Sequence, residues 1–189
     1  MNDSELIQLI VKKDRSALRH FVEQYQSLVI NTAFHIIGNK NDAEDVAQEV
    51  FLQIYNSAAT FEKKSKLSTW IYRITVNRSL NFLRDNRKFS LLRSLDEFIE
   101  GDVKGFPDQH APLPETPDRI LESKETGQII KNLLKSLPEN QRVAWVLHQY
   151  NDLPYQEIVK IMDLSLSSVE SLIFRARKNL QKKLLNHIK

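Results

Sequence analysis

Between residues 101 and 117 fall four of the chain's six prolines (Pro107, Pro112, Pro114, Pro117) and two of its four glycines (Gly101, Gly105). Proline has no backbone donor and pushes its predecessor out of helical geometry, so helices are expected to stop before this stretch and to restart near Asp118. The flanking segments are nearly free of both residues and rich in Leu, Ile, Lys, Glu, Gln and Asn, a helix-forming composition without the turn signals of an all-β protein. The expectation is an all-α chain of two small helical domains, 1–90 and 118–189, joined by a linker over 91–117. A length of 189 residues accommodates that division.

Charge follows the same division. From Phe61 to Arg93 nine bases oppose two acids, a net of +7; from Ser94 to Glu125 nine acids oppose three bases, a net of −6. After Ser165 the bases Arg175, Arg177, Lys178, Lys182, Lys183 and Lys189 face only Glu170. The whole-chain charge of +3 is too mild to identify a partner, but two basic blocks around an acidic connector suggest two polyanion-facing surfaces. There is no cysteine, which removes disulfides and thiolate metal sites and fits a reducing, cytoplasmic setting. No apolar run approaches the roughly 18 residues of a membrane span, so no membrane insertion is expected.

Apolar spacing defines the helices. Ala17, Leu18, Phe21, Tyr25, Leu28, Val29 and Ile36 form one stripe of a long helix ended by Gly38. Asn41 or Asp42 is expected to cap the next helix, with Val46, Val50, Phe51 and Ile54 inward and Asp42, Glu44 and Asp45 near its positive end. Ser68 or Thr69 is expected to cap a third, with Trp70, Ile71, Ile74, Leu80 and Leu83 inward. In the second half, a helix carrying Ile129, Ile130, Leu133 and Leu134 closes at Leu137-Pro138, and another begins at Pro138-Glu139 with Val143, Val146 and Leu147 inside. Two more follow, about Tyr155–Met162 and Ser167–Leu185.

The last pair has the form of a helix-turn-helix. Ile158, Val159 and Met162 can pack on Val169, Leu172, Ile173 and Ala176, leaving Ser167, Ser168, Glu170 and Ser171 outward where such helices meet base edges. Arg175, Arg177 and Lys178 follow where phosphates are held. Spacing alone leaves open an ordinary antiparallel helix pair with a solvated basic face. The block from Phe61 to Lys88 interleaves aromatics with bases, a mixture suited to single-stranded or opened DNA, since cations attract the backbone and aromatic rings stack on unpaired bases. Trp70 and Tyr72 as core residues beside a solvated basic helix is the alternative that composition leaves standing.

Two runs carry a family resemblance. Asp42-Ala43-Glu44-Asp45-Val46-Ala47-Gln48-Glu49-Val50-Phe51, followed by Leu67-Ser68-Thr69-Trp70-Ile71-Tyr72-Arg73-Ile74-Thr75-Val76-Asn77, resembles the second conserved region of extracytoplasmic-function (ECF) sigma factors of the sigma-70 superfamily. Leu137-Pro138-Glu139 onward, through Tyr155-Gln156-Glu157-Ile158 to Phe174-Arg175-Ala176-Arg177-Lys178-Asn179-Leu180, is similar to their fourth. The resemblance implies that Asp45, Gln48 and Glu49 dock on the clamp helices of core RNA polymerase. It implies that Phe61, Lys63, Lys64, Lys66 and Trp70 help to open promoter DNA and that Arg73, Asn77, Arg78 and Asn81 bind the minus-ten element. Ser167, Ser168, Glu170, Ser171, Arg175, Arg177 and Lys178 then read the minus-thirty-five element as duplex. An anti-sigma factor is implied as a partner, clasping a compact inactive form and covering both DNA faces.

Several positions depart from the family pattern: Glu170-Ser171-Leu172 where Lys-Ser-Arg is common, Pro154 for a serine cap, Val159 for an alanine, Asp163 for a turn glycine and Asn81 for an aspartate. A carboxylate at 170 accepts from cytosine but repels phosphate, so an altered promoter preference is expected. There is no phosphate-cradling glycine loop, nucleophile elbow or metal-binding His/Glu motif, and His20, His35, His110, His148 and His187 are scattered. No catalytic site, metal or cofactor is therefore expected. The rival readings are an autonomous helix-turn-helix regulator, binding a palindromic operator as a dimer, and a helical scaffold that binds no DNA.

Overall fold

A computed structural model describes residues 2–61, 65–100 and 127–188, with side chains described as far as residue 89 in the fourth helix and residue 185 in the last. Lys63, Lys64 and residues 101–126, which hold most of the linker expected over 91–117, lie outside the described residues, whereas 91–100 belong to the fourth helix and not to a linker. Helix α1, Asp3–Val11, opens on a capping box in which Asn2 and Glu5 exchange hydrogen bonds of 3.1 and 2.8 Å. The analysis of spacing had not marked this helix. Asp14 caps α2, Arg15–Ile37, by accepting from Ser16 and Ala17. Gly38 ends α2 at φ 79°, a left-handed conformation suited to glycine, and any Cβ there would meet the Lys135 side chain.

The cap of α3, Lys40–Ser57, is Asn39 and not Asn41 or Asp42; its side chain accepts from the amides of both of those residues. Asn39 directly follows the chain-reversing glycine and is the residue left in extended geometry, which a cap requires. A 3-10 turn, Ala58–Thr60, leads towards α4, Leu67–Glu100. Because α4 starts at Leu67, Ser68 and Thr69 already lie inside its first turn and neither is the cap. Helix α5 is described over 127–135; α6, Glu139–Gln149, α7, Tyr155–Met162, and α8, Leu166–Ile188, follow. The chain is thus all-helical in two domains. Among the described residues no helix is long and apolar enough to cross a membrane.

Helices α1 to α3 and the start of α4 enclose one core around Leu6, Ile10, Phe21, Val29, Val46, Val50, Ile54, Leu67 and Ile71, all buried. The second core gathers Val143, Leu147, Ile158, Ile161, Val169 and Ile173 from α6, α7 and α8, and it is continuous with Ile36, Tyr72 and Val76 of the first domain. Of the residues expected between α7 and α8, Ile158, Val169, Ile173 and Ala176 are buried while Val159, Met162 and Leu172 are half-buried. Ile161, not marked by spacing, is buried with them.

The domains also meet through polar groups. Arg142, 7% exposed, donates to the Ile36 carbonyl at 2.7 Å and to the carbonyls of Lys135 and Leu137 at 2.8 and 3.2 Å. It therefore closes the C-terminal ends of α2 and α5 together, where unpaired carbonyls and the negative dipole end favour a cation. Asn151 donates to Thr32 at 3.1 Å, and the His35 and Tyr150 rings lie 4.1 Å apart.

Candidate functional site

Helix α3 buries Ala43, Val46, Ala47, Val50 and Ile54 and turns Asn41, Asp45, Gln48, Glu49, Leu52 and Asn56 to solvent. The helical period thus delivers Asp45, Gln48 and Glu49 to one outward stripe. Two features of this stripe were not read beforehand. Leu52, 63% exposed, is a large apolar side chain in its middle. Glu49 is 3.4 Å from Arg78 of α4, whose Nε also donates to Gln53 at 2.6 Å. Arg78 is thereby drawn to α3, away from the other side chains grouped with it on α4.

At the start of α4 the Phe61 and Trp70 rings are 5.3 Å apart, and both pack half-buried against the first core. Tyr72 is buried. Tyr72 is thus a core residue, as the alternative reading of this block had it, while Phe61 and Trp70 keep partly open surface. Lys66, Arg73, Asn77, Asn81 and Arg84 are exposed, and the spacing of Lys66, Arg73, Asn77 and Arg84 sets them along one edge of the helix. Asn81 accepts from Arg84 through its side-chain oxygen. Lys66 and Arg73 have partners from the other domain: Lys66 is 3.9 Å from Glu157, and Arg73 is 3.9 Å from Asp163.

In the helix-turn-helix, Asp163 ends α7 in left-handed geometry at φ 55°, and Ser165 caps α8 by accepting from the Ser168 amide at 3.2 Å. The Ser165 hydroxyl also lies 3.1 and 2.8 Å from those of Ser167 and Ser168. Pro154 stands at the head of α7 without a side-chain cap. Ser167, Ser168, Ser171 and Arg175 line a shallow groove with Asn140 of α6, a residue that sequence reasoning passed over because it lies in a different helix. Glu170, Arg177 and Lys178 are exposed. Arg177 stands apart from Arg175, in a second groove shared with Ile130, Trp145 and Leu180. Phe174 is 67% exposed on α8, a second large apolar group that spacing did not flag.

Several groups at the contact between the domains have shifted proton affinities, Glu157 and His35 among them. The Thr69 hydroxyl donates to Glu157 at 2.6 Å, and this bond, opposed by burial and assisted by Lys160 and Lys66, holds the Glu157 carboxyl below the usual carboxylate range. Burial pushes the His35 imidazole below its ordinary value, partly offset by its bond to the Asn31 carbonyl.

Residues 21–89 match the family described as Sigma-70 region 2, and residues 127–180 match Sigma-70, region 4. The chain is 32% identical to the ECF RNA polymerase sigma-E factor of Escherichia coli (strain K12), over 97% of this chain and 94% of that factor. It is 30% identical to the RNA polymerase sigma-H factor of Pseudomonas aeruginosa, over 96% and 93% of the two chains. Its fold resembles that of CnrH in complex with the cytosolic domain of CnrY, with a TM-score of 0.69, 18% identity and 96% of both chains covered. It also resembles the sigma factor RpoE in complex with the anti-sigma factor NepR from Bartonella quintana, with a TM-score of 0.62, 20% identity and 88% and 95% coverage. With an exposed acidic-amide stripe on α3, a basic edge on α4 and a helix-turn-helix on the same chain, the protein belongs to the ECF sigma factors of the sigma-70 family.

Proposed function

We propose that this chain binds core RNA polymerase, gives it promoter choice at initiation and is restrained by an anti-sigma factor in the cytoplasm. The first domain, 1–90, docks through Asp45, Gln48 and Glu49 and handles opened minus-ten DNA with Phe61, Lys63, Lys64, Lys66, Trp70, Arg73, Asn77, Arg78 and Asn81. The linker, 91–117, joins it to 118–189, which reads the minus-thirty-five duplex with Ser167, Ser168, Glu170, Ser171, Arg175, Arg177 and Lys178. The chain supplies recognition and melting, while bond-forming chemistry belongs to the polymerase, so it is not itself an enzyme.

The observation that carries this reading is the α3 stripe. Asp45 and Glu49 put carboxylates on an exposed face where DNA would be repelled, and Leu52 adds apolar surface at its centre. A stand-alone DNA-binding regulator has no use for such a face; a polymerase-docking factor does. Leu52 thus joins Asp45, Gln48 and Glu49 in the proposed docking surface.

The test is run-off transcription from a genomic promoter pool with purified core polymerase, reading transcript starts by sequencing. Discrete starts that depend on the chain and disappear with Asp45→Ala/Gln48→Ala are expected. No added starts, together with tight polymerase-independent binding to a palindrome, would overturn the reading in favour of an autonomous regulator.

A further inference from the structure

The cations at the start of α4 are answered from within the chain. Glu157 of α7, whose side chain is only 14% exposed, accepts from Thr69 at 2.6 Å and lies 3.9 Å from Lys66 and 3.6 Å from Lys160. About two turns along α4 from Lys66, Arg73 is 3.9 Å from Asp163, the residue that ends α7. The first helix of the helix-turn-helix therefore lays two carboxylates along the same edge of α4 that carries Lys66 and Arg73. Below them Ile158 and Ile161 share a core with Tyr72 and Val76, so the approach of the helices is apolar underneath and ionic at the rim.

The two ionic contacts differ in weight. Arg73 and Asp163 are 52% and 87% exposed, so water and salt screen their attraction and it contributes little. Glu157 is largely enclosed, and a carboxylate that accepts a short hydroxyl bond beside two ammonium groups is well satisfied where it sits. Those donors, a hydroxyl and a lysine at the head of a basic helix, are also what a nucleic-acid phosphate oxygen engages.

We propose that Glu157 is an intramolecular stand-in for a DNA phosphate: it holds α7 over Lys66 and Thr69, and a strand can enter at the head of α4 only after Glu157 lets go. The inference rests on the reading of α4 as a DNA-binding edge, but the closure itself does not. The free chain then covers part of its own melting surface before any inhibitor arrives. Its affinity for single strands is lowered by the fraction of molecules that are closed.

The test uses the full chain, whose lack of cysteine allows spin labels at Gln24→Cys and Lys182→Cys, exposed positions on α2 and α8, with the interdomain distance read by pulsed electron resonance. Three further substitutions are compared in that background and, unlabelled, for binding to fluorescein-labelled oligothymidine. Thr69→Val removes the hydrogen bond without changing charge, Glu157→Gln removes the carboxylate, and Glu23→Gln removes one exposed carboxylate from α2 as a charge control. Thr69→Val and Glu157→Gln are expected to shift the label distances longer, and Glu157→Gln, which leaves both donors in place, to tighten oligothymidine binding about tenfold, the factor for one charge-assisted hydrogen bond. Glu23→Gln should do neither. The proposal is overturned if Thr69→Val and Glu157→Gln leave the distances unchanged, or if Glu157→Gln lengthens them without tightening binding beyond Glu23→Gln. Failure of the transcription assay would remove the sigma-factor reading while leaving the distance measurement to judge the closure.

Discussion

The two domains solve the same burial problem differently. The first wraps four helices around Phe21, Val29, Val50, Ile54 and Ile71 and completes that core with its own residues. The second has α6, α7 and α8 around Leu147, Ile158 and Ile173, and it completes its core by adding Ile36, Tyr72 and Val76 from the first domain. A domain of roughly 60 residues buries a smaller share of its surface than a larger one, so its apolar faces gain most from a neighbour. The smaller domain is therefore the one whose apparent stability depends on closure, since Ile36, Tyr72 and Val76 complete its core.

The largest test of this contrast is Phe21→Ala, which empties a fully buried aromatic site and should cost about 3–5 kcal/mol. Thermal unfolding followed by circular dichroism should show the first domain lost, and docking to core polymerase with it. Arg142→Met comes next. It removes three charge-assisted bonds that close the ends of α2 and α5, and a loss of about 2–3 kcal/mol is expected by calorimetry. If the contrast between domains is right, this loss appears in the transition of the second domain and leaves the first in place.

Leu52→Ala separates docking from folding. The side chain is 63% exposed, so stability should stay within about 0.5 kcal/mol while the affinity for core polymerase, measured by fluorescence anisotropy, falls by about tenfold as for an interface anchor. A smaller effect is expected at Asp163→Gly. Relief of a left-handed non-glycine backbone should stabilise by about 1 kcal/mol, raising the melting temperature of the second domain, because the exposed pair lost with Arg73 returns little.

Acid should loosen the interface through His35. Its folded value is depressed, so the unfolded or opened chain binds the proton more readily, and stability is lost as pH falls below the ordinary histidine value of about 6.5. His35 faces Tyr150 and lines a groove together with Lys40 and Lys131. Glu157 acts in the same direction at lower pH: its carboxyl is depressed, so its contribution is present above the ordinary carboxylate range and lost as it protonates. Label distances that stay constant between pH 7.5 and 5.5 would remove His35 from the closure.

Helix existence and inward faces were legible in the chain wherever a period of three to four ran for several turns, as in Ala17 to Ile36 or Ile158 to Ala176. The caps were less so. Asn39, Asn41 and Asp42 are all good capping residues, and the choice among them fell to the geometry after Gly38, which a residue scale does not contain. Helix α1 escaped because it is only nine residues long, too short for a period to repeat over several turns, and its five apolar residues are bunched between Leu6 and Val11.

What the sequence determined by itself is therefore what local period and local chemistry carry: the helices after α1, their inward faces, the basic character of α4 and the turn before α8. Tertiary structure decided the pairings between residues far apart in the chain. Arg78 turned to Gln53 and Glu49, Asn140 joined the groove of Ser167, Ser168 and Arg175, and Arg142 reached Ile36. Above all it brought Thr69 to Glu157, 88 positions away in sequence. The reason is physical: a helical period records which face meets water, but not which distant carboxylate or carbonyl will stand opposite once two apolar surfaces have closed.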